Sequence, residues 1–325
     1  MSYSQEAKRK AQVFASSLAL CAALSTAVAN ATDDARNIYL LGSAGVGAGV
    51  VPAPGIYITD LTYVYEGSTG ASTESLRGGQ IRTGVDANAV VNAAIATWVL
   101  PQSVVGGNVG FSLILPYGYT EVSADVTLTG PRGRSLALGA HDDVFAVGDP
   151  QAIAFLGWHL NELHGKIYAL VNVPLGQWSK TNLANSGFNQ WAVDIGGAFT
   201  WLDKPSGVEV STAVGLTYNF TNQDDDYKSG KEFHLEYAVA KHFSESALAL
   251  GVTGYYYKQI SGDSGSSARL GSFKGEVAAV GPVVNFTIMV GQQPIVVEAK
   301  VFHEFYATNR LAGTAGYLAL TFPIP

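Results

Sequence analysis

Residues 262–265 read Gly-Asp-Ser-Gly, the tetrapeptide that surrounds the nucleophilic serine of chymotrypsin-like proteases. That chemistry also needs a general-base histidine and a buried aspartate. The tetrapeptide lies in a run of glycines and serines, and no Ala-Ala-His-Cys-like segment precedes it. We therefore predict that Ser264 is a residue of an outer loop without a catalytic role.

Acidic side chains at two-residue spacing are the second group of candidate residues. Glu232 and Glu236 flank His234, and Glu298 is followed two residues later by Lys300. Paired acids can act as general acid and base, and oxygen ligands bind hard cations, so a glycosidase or a metal site is one interpretation. Nothing fixes the spacing of these groups across strands. We favour charges that neutralise each other in a hydrated channel, and we predict no catalytic residue, metal or cofactor.

The N-terminus indicates the destination of the chain. Residues 8–10 are Lys-Arg-Lys, and an uncharged run that ends in small residues follows them. This pattern defines a secretory signal peptide, which we assign to residues 1–29, with cleavage after Ala29 or Ala31. Residues 30–54 form an N-terminal segment that is too short for an energy-coupled plug, and we expect it to line or constrict the periplasmic mouth.

The mature chain is acidic and contains no cysteine. Cys21, the only cysteine, lies inside the predicted signal, which excludes disulfides, thiolate metal sites and cysteine nucleophiles. Cleavage after Ala29 removes three basic residues and one acidic residue, so the formal net charge moves from −7 to −9. This charge argues against a nucleic-acid partner. No mature segment approaches the roughly 18 uncharged apolar residues of a membrane helix, so a β-sandwich or a membrane β-barrel remains.

Apolar and polar residues alternate along most of the mature chain. Phe233, Leu235 and Tyr237, for example, share one face of a strand, and the polar residues between them share the other. The alternation predicts twelve strands, near residues 55–66, 84–99, 106–128, 147–159, 165–175, 190–202, 207–221, 230–242, 247–260, 273–290, 294–306 and 313–324.

The connections between these strands alternate in length. Those after the odd-numbered strands are mostly long and polar, whereas the others contain only a few residues, such as 203–206. In outer-membrane barrels the long loops face outside and the short turns face the periplasm, and a β-sandwich gives no reason for such alternation. We therefore predict an all-β fold, a transmembrane antiparallel up-and-down β-barrel of about 12 strands over residues 55–325.

The spacing of two tryptophans agrees with a strand that crosses a membrane. Trp191 and Trp201 share the apolar face of one predicted strand and are ten residues apart, which is about 33 Å along a strand at roughly 3.3 Å per residue. With a strand tilt of about 40°, the vertical distance becomes roughly 25 Å, the height of the apolar band between two aromatic girdles.

If the apolar faces contact lipid, the polar faces line the lumen. The candidate pore-lining residues are Asp194, Glu209, Glu232, His234, Glu236, Tyr255, Tyr257, Glu298, Lys300, Phe302 and Glu304. A twelve-stranded barrel is narrower than an open porin. We therefore expect a narrow, partly occluded passage whose hydrated acids favour cations or neutral solutes over anions.

Seven short motifs between residues 148 and 310 occur in a known family. They are Gly148-Asp149-Pro150, Leu156-Gly157-Trp158-His159, Gly187-Phe188-Asn189-Gln190-Trp191, Tyr227-Lys228-Ser229-Gly230-Lys231-Glu232, Gly254-Tyr255-Tyr256-Tyr257-Lys258-Gln259 with residues 262–265, Gly281-Pro282, and Glu304-Phe305 with Asn309-Arg310. With these motifs the chain resembles the outer-membrane proteins named for the "meta-pathway of phenol degradation". The resemblance implies an outer-membrane barrel that takes up hydrophobic or aromatic small molecules, and it brings no catalytic residues.

We therefore predict an outer-membrane channel of a Gram-negative bacterium for the passive uptake of small hydrophobic or aromatic compounds, linked to aromatic catabolism. Two alternatives stay open: a barrel enzyme that acts at the lipid face, like outer-membrane phospholipase, and a structural or adhesive barrel. The predicted partners are outer-membrane lipid, the solute and the barrel assembly machinery. That machinery meets a last strand that ends in Pro-Ile-Pro instead of an aromatic residue.

Overall fold

The computed structural model describes residues 37–75, 79–129, 135–243, 247–268, 272 and 274–324. The predicted signal peptide, residues 1–29, lies outside these ranges. No helix in the described part of the chain is long and apolar enough to cross a membrane. The regular structure there consists of antiparallel strands joined in one sheet.

The described residues contain thirteen strands. They are β1 (Gly55–Ser75), β2 (Gly79–Val104), β3 (Gly107–Thr129), β4 (Ser135–Val147), β5 (Gln151–Leu160), β6 (Leu163–Asn172), β7 (Ala192–Asp203), β8 (Val208–Asn219), β9 (Glu232–Phe243), β10 (Leu248–Gln259), β11 (Glu276–Val290), β12 (Gln293–Thr308) and β13 (Ala312–Ile324). β1 pairs with β2 on one side and with β13 on the other. Because β2 also pairs with β3, and β3 with β5, the sheet closes into a barrel. Twelve strands form the wall and β4 is additional, which confirms the predicted fold.

The additional strand β4 lies where the sequence predicts a loop. β3 pairs with β5 near its start and with β4 along its second half. β4 and β5 therefore lie end to end along β3, and residues 148–150 separate them. Pro150 has no N–H to offer to a ladder, and a Cβ on Gly148 would lie only 3.0 Å from the carbonyl oxygen of Ser186.

The first three strands are longer than predicted. β1, β2 and β3 contain 21, 26 and 23 residues, whereas β8 contains 12. Exposed polar side chains, including Asp86 and Asp125, lie on their outer halves, so these halves project above the membrane. The long loop predicted after the first strand is wrong, because only residues 76–78 separate β1 from β2. Long outer connections do follow β6, β8 and β10.

The outer surface of the barrel wall is apolar. On β8, Val210, Val214 and Leu216 are exposed, and the polar residues that alternate with them are buried. Trp191 and Trp201 expose 52% and 37% of their surface, as expected for aromatic girdles at the two ends of an apolar band. A closed barrel satisfies every wall amide internally, so this apolar surface can face lipid. The chain forms a transmembrane barrel of the outer membrane.

Candidate functional site

Residues 37–54, here called the lumen segment, run through the inside of the barrel. Ile38, Leu41 and Val51 are buried. At the outer end, Asn37 Oδ1 accepts a hydrogen bond from Arg310 in the β12–β13 connection. At the periplasmic end the segment leads directly into β1. It therefore fills the height of the lumen, whereas the sequence predicted a constriction only at the periplasmic mouth.

Glycines allow the lumen segment to approach the wall closely. Gly42 and Gly47 have φ of +85° and +74°, a region that side chains disfavour. A Cβ on Gly49 would lie 2.6 Å from both the carbonyl oxygen of His164 and the amide nitrogen of Thr200. These wall atoms belong to the backbone, so no side-chain movement can relieve such a clash.

Acidic side chains of the wall bind the amides that the glycines expose. The Gly42 N–H donates to Glu236 Oε1 at 2.8 Å, and the Gly47 N–H donates to Glu209 Oε1 at 2.6 Å. Both acids are buried. A charged acceptor makes a stronger hydrogen bond than a neutral one, especially away from water, so these carboxylates anchor the segment.

Lys300 of the wall anchors the lumen segment by binding carbonyl groups of that segment. Its Nζ donates to the carbonyl oxygens of Ser43 and Ala44, both at 3.2 Å, and pairs with Glu298 Oε1 at 2.8 Å. Tyr317 donates its hydroxyl to the carbonyl oxygen of Leu41.

A buried polar cluster lies beside Tyr39 in the middle of the lumen. The Tyr39 ring stacks on His234 with a centroid distance of 3.6 Å. Asp194 Oδ2 accepts a hydrogen bond from Thr217 at 2.6 Å and lies 3.0 Å from His234 Nε2. Asp194 and His234 expose 0% and 1% of their surface. The expectation of hydrated charges is therefore wrong at this level of the barrel.

Aromatic and charged residues surround the outer part of the lumen segment. Glu304 accepts hydrogen bonds from the hydroxyls of Tyr65 and Tyr255, both at 2.9 Å, and from the Gly313 N–H at 2.8 Å. Phe302 is fully buried, with its ring centroid 5.0 Å from that of Tyr255. The cluster combines an apolar surface with a carboxylate whose oxygens are already bonded.

Three cavities follow one another along the lumen segment. The outer cavity, of about 310 Å³, is mostly apolar and is bordered by Leu61, Val91, Ile114, Leu170 and Phe188 among others. The middle cavity, of about 300 Å³, shares Tyr39 and Ser43 with it. The periplasmic cavity, of about 480 Å³, shares Phe155 and Lys166 with the middle one. The shared residues show that each cavity lies next to the following one along the lumen segment.

The predicted pore-lining residues all lie on the inner face of the wall. Tyr255 and Glu304 border the outer cavity, and Glu298 borders the middle cavity. Seven others contact the lumen segment or one another: Asp194, Glu209, His234, Glu236, Tyr257, Lys300 and Phe302. Glu232 is buried and accepts a hydrogen bond from Asn219 of β8. The sequence did not predict that Tyr39 and Ser43 line the lumen. The glycine-rich run that includes Gly42, Gly45, Gly47 and Gly49 was the signal that this part of the chain packs closely against other backbone.

The Gly-Asp-Ser-Gly stretch joins two outer connections. Asp263 accepts hydrogen bonds from the Tyr227 hydroxyl at 2.6 Å and the Gly230 N–H at 3.0 Å. Ser264 pairs through its backbone with Lys228. The stretch is part of an outer loop, as predicted, and its aspartate links that loop to the β8–β9 connection.

A comparison with protein families gives the family of the chain. Residues 69–320 match the family described as "Putative MetA-pathway of phenol degradation". The chain belongs to this family. The match covers most of the sequence and begins within β1, so it leaves out the lumen segment. No curated protein is significantly similar to the chain.

Two solved structures resemble this phenol-degradation family member. The COG4313 outer membrane channel from Pseudomonas putida F1 is 14% identical, with a TM-score of 0.65, over 85% of this chain and 97% of that one. The CymD monoaromatic hydrocarbon channel is 6% identical, with a TM-score of 0.44, over 84% and 89% of the two chains. The first similarity establishes the shared barrel fold.

A motif of the family resemblance stabilises the break between β4 and β5. Asp149 accepts hydrogen bonds from the Gly176 and Phe188 N–H groups at 2.7 and 2.9 Å and from Asn172 Nδ2 at 3.0 Å. These hydrogen bonds hold the β6–β7 connection against the gap between β4 and β5. It forms part of the wall of the outer cavity.

Proposed function

We propose that the protein is an outer-membrane channel for the passive uptake of small hydrophobic or aromatic compounds that feed aromatic catabolism. The row of three cavities beside the lumen segment carries this proposal. An apolar outer cavity is suited to ring-shaped solutes, because apolar surface binds apolar surface. The family description and the similarity to the COG4313 outer membrane channel support the same interpretation.

The shared residue Ser43 offers a direct test. Ser43→Trp places a bulky ring between the outer and middle cavities, so it should reduce single-channel conductance in planar bilayers severalfold. Val105→Trp, at a residue that is 84% exposed in the β2–β3 turn, is the matched control and should conduct like the unmodified protein. Equal conductance of both variants would contradict a path through these cavities.

One contact supports the alternative of an enzyme. Ser123 Oγ lies 3.1 Å from His141 Nδ1 across β3 and β4, and His141 Nε2 lies 4.0 Å from Asp143 Oδ1. Serine, histidine and a carboxylate are the parts of a hydrolase triad. His141 and Asp143 expose more than half of their side chains, so water weakens these interactions. We therefore favour the channel.

The spacing of a second histidine also invites this alternative. Ser244 follows His242 by two residues, as in outer-membrane phospholipase, and lies outside the described residues. His242 Nε2 contacts Glu209 Oε2 at 2.7 Å inside the barrel, away from lipid. Serine labelling by a fluorophosphonate, lost in Ser123→Ala or Ser244→Ala, together with lipid hydrolysis, would support an enzyme. The absence of both activities and of conductance would favour an adhesive barrel.

We also propose that the barrel assembly machinery recognises β13. Its end, from Leu318 to Phe322, alternates like the other strands, although Pro323 follows where outer-membrane proteins commonly end in an aromatic residue. Crosslinking of Phe322 variants to the assembly machinery during biogenesis tests this partner.

A further inference from the structure

Among the described residues, a single basic side chain borders the apolar outer cavity. Arg310, in the connection between β12 and β13, exposes only 9% of its surface and lines this cavity. Its guanidinium carbon lies 4.6 Å from the ring centre of Tyr257. The side chain is thus buried and held in place by stacking.

Part of this guanidinium has no hydrogen-bond partner among the described residues. Nη2 donates to Asn37 Oδ1 at 2.8 Å. Nε and Nη1 are buried and make no hydrogen bond there. A guanidinium carries five N–H donors, and leaving buried donors unpaired is costly. Arg310 therefore carries two unpaired, buried donor groups next to an apolar cavity.

The acids that border the same cavity are bonded elsewhere. Glu304 accepts from two tyrosine hydroxyls and a backbone amide, and Asp149 accepts from two backbone amides and Asn172. Glu304 lowers the net charge around Arg310, yet no ion pair joins the two side chains within the described residues. An oxygen acceptor of a bound molecule would therefore compete with no carboxylate for the two unpaired donors, and a small shift of the neighbouring side chains would bring it to them.

We propose that the outer cavity binds an aromatic carboxylate, with the ring against the apolar residues and the carboxylate on Arg310. Arginine binds carboxylates strongly because both groups are planar and oppositely charged. The cavity of about 310 Å³ exceeds the roughly 150 Å³ that suffices for benzene, which leaves room for a substituent. This inference rests on the proposed channel function and names a solute class for it.

The test compares two ligands that share a ring. Sodium benzoate and benzyl alcohol are titrated into the purified barrel in neutral detergent at pH 7, with binding followed by calorimetry. Benzoate should bind about tenfold more tightly, because only benzoate forms a charge-assisted pair. In Arg310→Met this preference should disappear while benzyl alcohol still binds. Lys231→Met, which removes an exposed cation of an outer connection, should keep the preference.

The outcomes separate this inference from the channel function. Equal binding of both ligands to the unmodified barrel, or a preference that persists in Arg310→Met, would overturn the carboxylate site while conductance upholds the channel. If the unmodified barrel neither conducts ions nor binds either aromatic ligand, the channel proposal itself is wrong. A folded barrel migrates faster on a gel when it is not heated. If Arg310→Met lacks this property, Arg310→Lys replaces it in the test. Lysine keeps the charge but not the planar guanidinium, so the preference for benzoate should be reduced.

Discussion

At the scale of single residues, the buried acids of the wall act as anchors for the lumen segment. Glu236 and Glu209 bind the amides of Gly42 and Gly47. The sequence predicts which residues face inward, because lipid forces the alternate face to be apolar. It does not predict their partners, because those partners are glycine amides more than 150 positions away and glycine has no side chain to form a pattern.

Removal of one anchor should loosen the segment. In Glu236→Ala the Gly42 amide loses its acceptor, and an unsatisfied buried amide costs about 1–3 kcal/mol. We expect larger and noisier conductance steps in planar bilayers, with little change in ion preference. Glu66→Ala, at an exposed position of β1, is the control. A shift in reversal potential without a conductance change would restore the hydrated-lumen hypothesis.

A backbone clash should have a stronger effect. The Cβ of Gly49→Ala would lie 2.6 Å from backbone atoms of the wall, so the variant should displace the periplasmic end of the segment. We expect proteolysis at residues 47–52 in the folded barrel and a severalfold rise in conductance. Gly84→Ala, where the nearest atom is 4.0 Å away, should behave like the unmodified protein. If both variants resist proteolysis at residues 47–52, Gly49 does not pack closely against the wall.

At the scale of elements, the break between β4 and β5 defines the outer cavity. β4 escaped sequence prediction because its middle, His141-Asp142-Asp143, has the composition of a polar loop. Above the membrane no lipid requires an apolar face, so the alternation that reveals the other strands is lost. The same reason explains why the lengths of β1 and β2 exceeded the prediction.

The β6–β7 connection should detach from β4 in acid. Asp142, above the apolar band, accepts hydrogen bonds from the Ala184 and Leu183 amides, which lower its pKa. Because the folded pKa is below the unfolded value, this contribution is complete above about pH 4. It is lost as the pH falls through the folded pKa. Hydrogen exchange of the two amides, corrected for intrinsic rates, should increase at low pH.

An asparagine variant provides the control for this pH dependence. In Asp142→Asn both amides should exchange faster at neutral pH, and acidification should add little. If exchange in the unmodified protein is the same at pH 6 and pH 3 after correction, Asp142 does not control the connection.

At the scale of the whole molecule, the membrane determines what the sequence reveals. The even strand count of the wall, the orientation of the connections and the apolar outer surface follow from physical requirements of the bilayer. The path inside does not, because its cavities depend on how the lumen segment lies against the wall. Arg310 illustrates the limit, since it lies in a short connection without periodicity.

The outer surface can be tested with one charge. Val214→Arg places a cation on the lipid-facing side of β8, where it costs about 2–4 kcal/mol near the bilayer midplane. The variant should assemble poorly and lose its heat-modifiable gel mobility. Asp86→Arg, on the extension above the membrane, should assemble normally. Thr217, on the inner face of β8, is not a suitable control for this test, because it is buried and bonded to Asp194. Normal assembly of Val214→Arg would mean that β8 does not face lipid.

The position of the lumen segment imposes an order on folding. Asn37 lies at the outer end of the barrel, whereas β1 begins at the periplasmic end, so residues 37–54 cross the lumen before the chain enters the wall. Thirteen residue pairs close the wall between β1 and β13. Entry of these residues after the wall has closed would be sterically difficult, because Gly42 and Gly49 lie directly against wall atoms. We therefore expect the segment to lie inside the barrel before β1 and β13 pair, so that closure of the wall retains it.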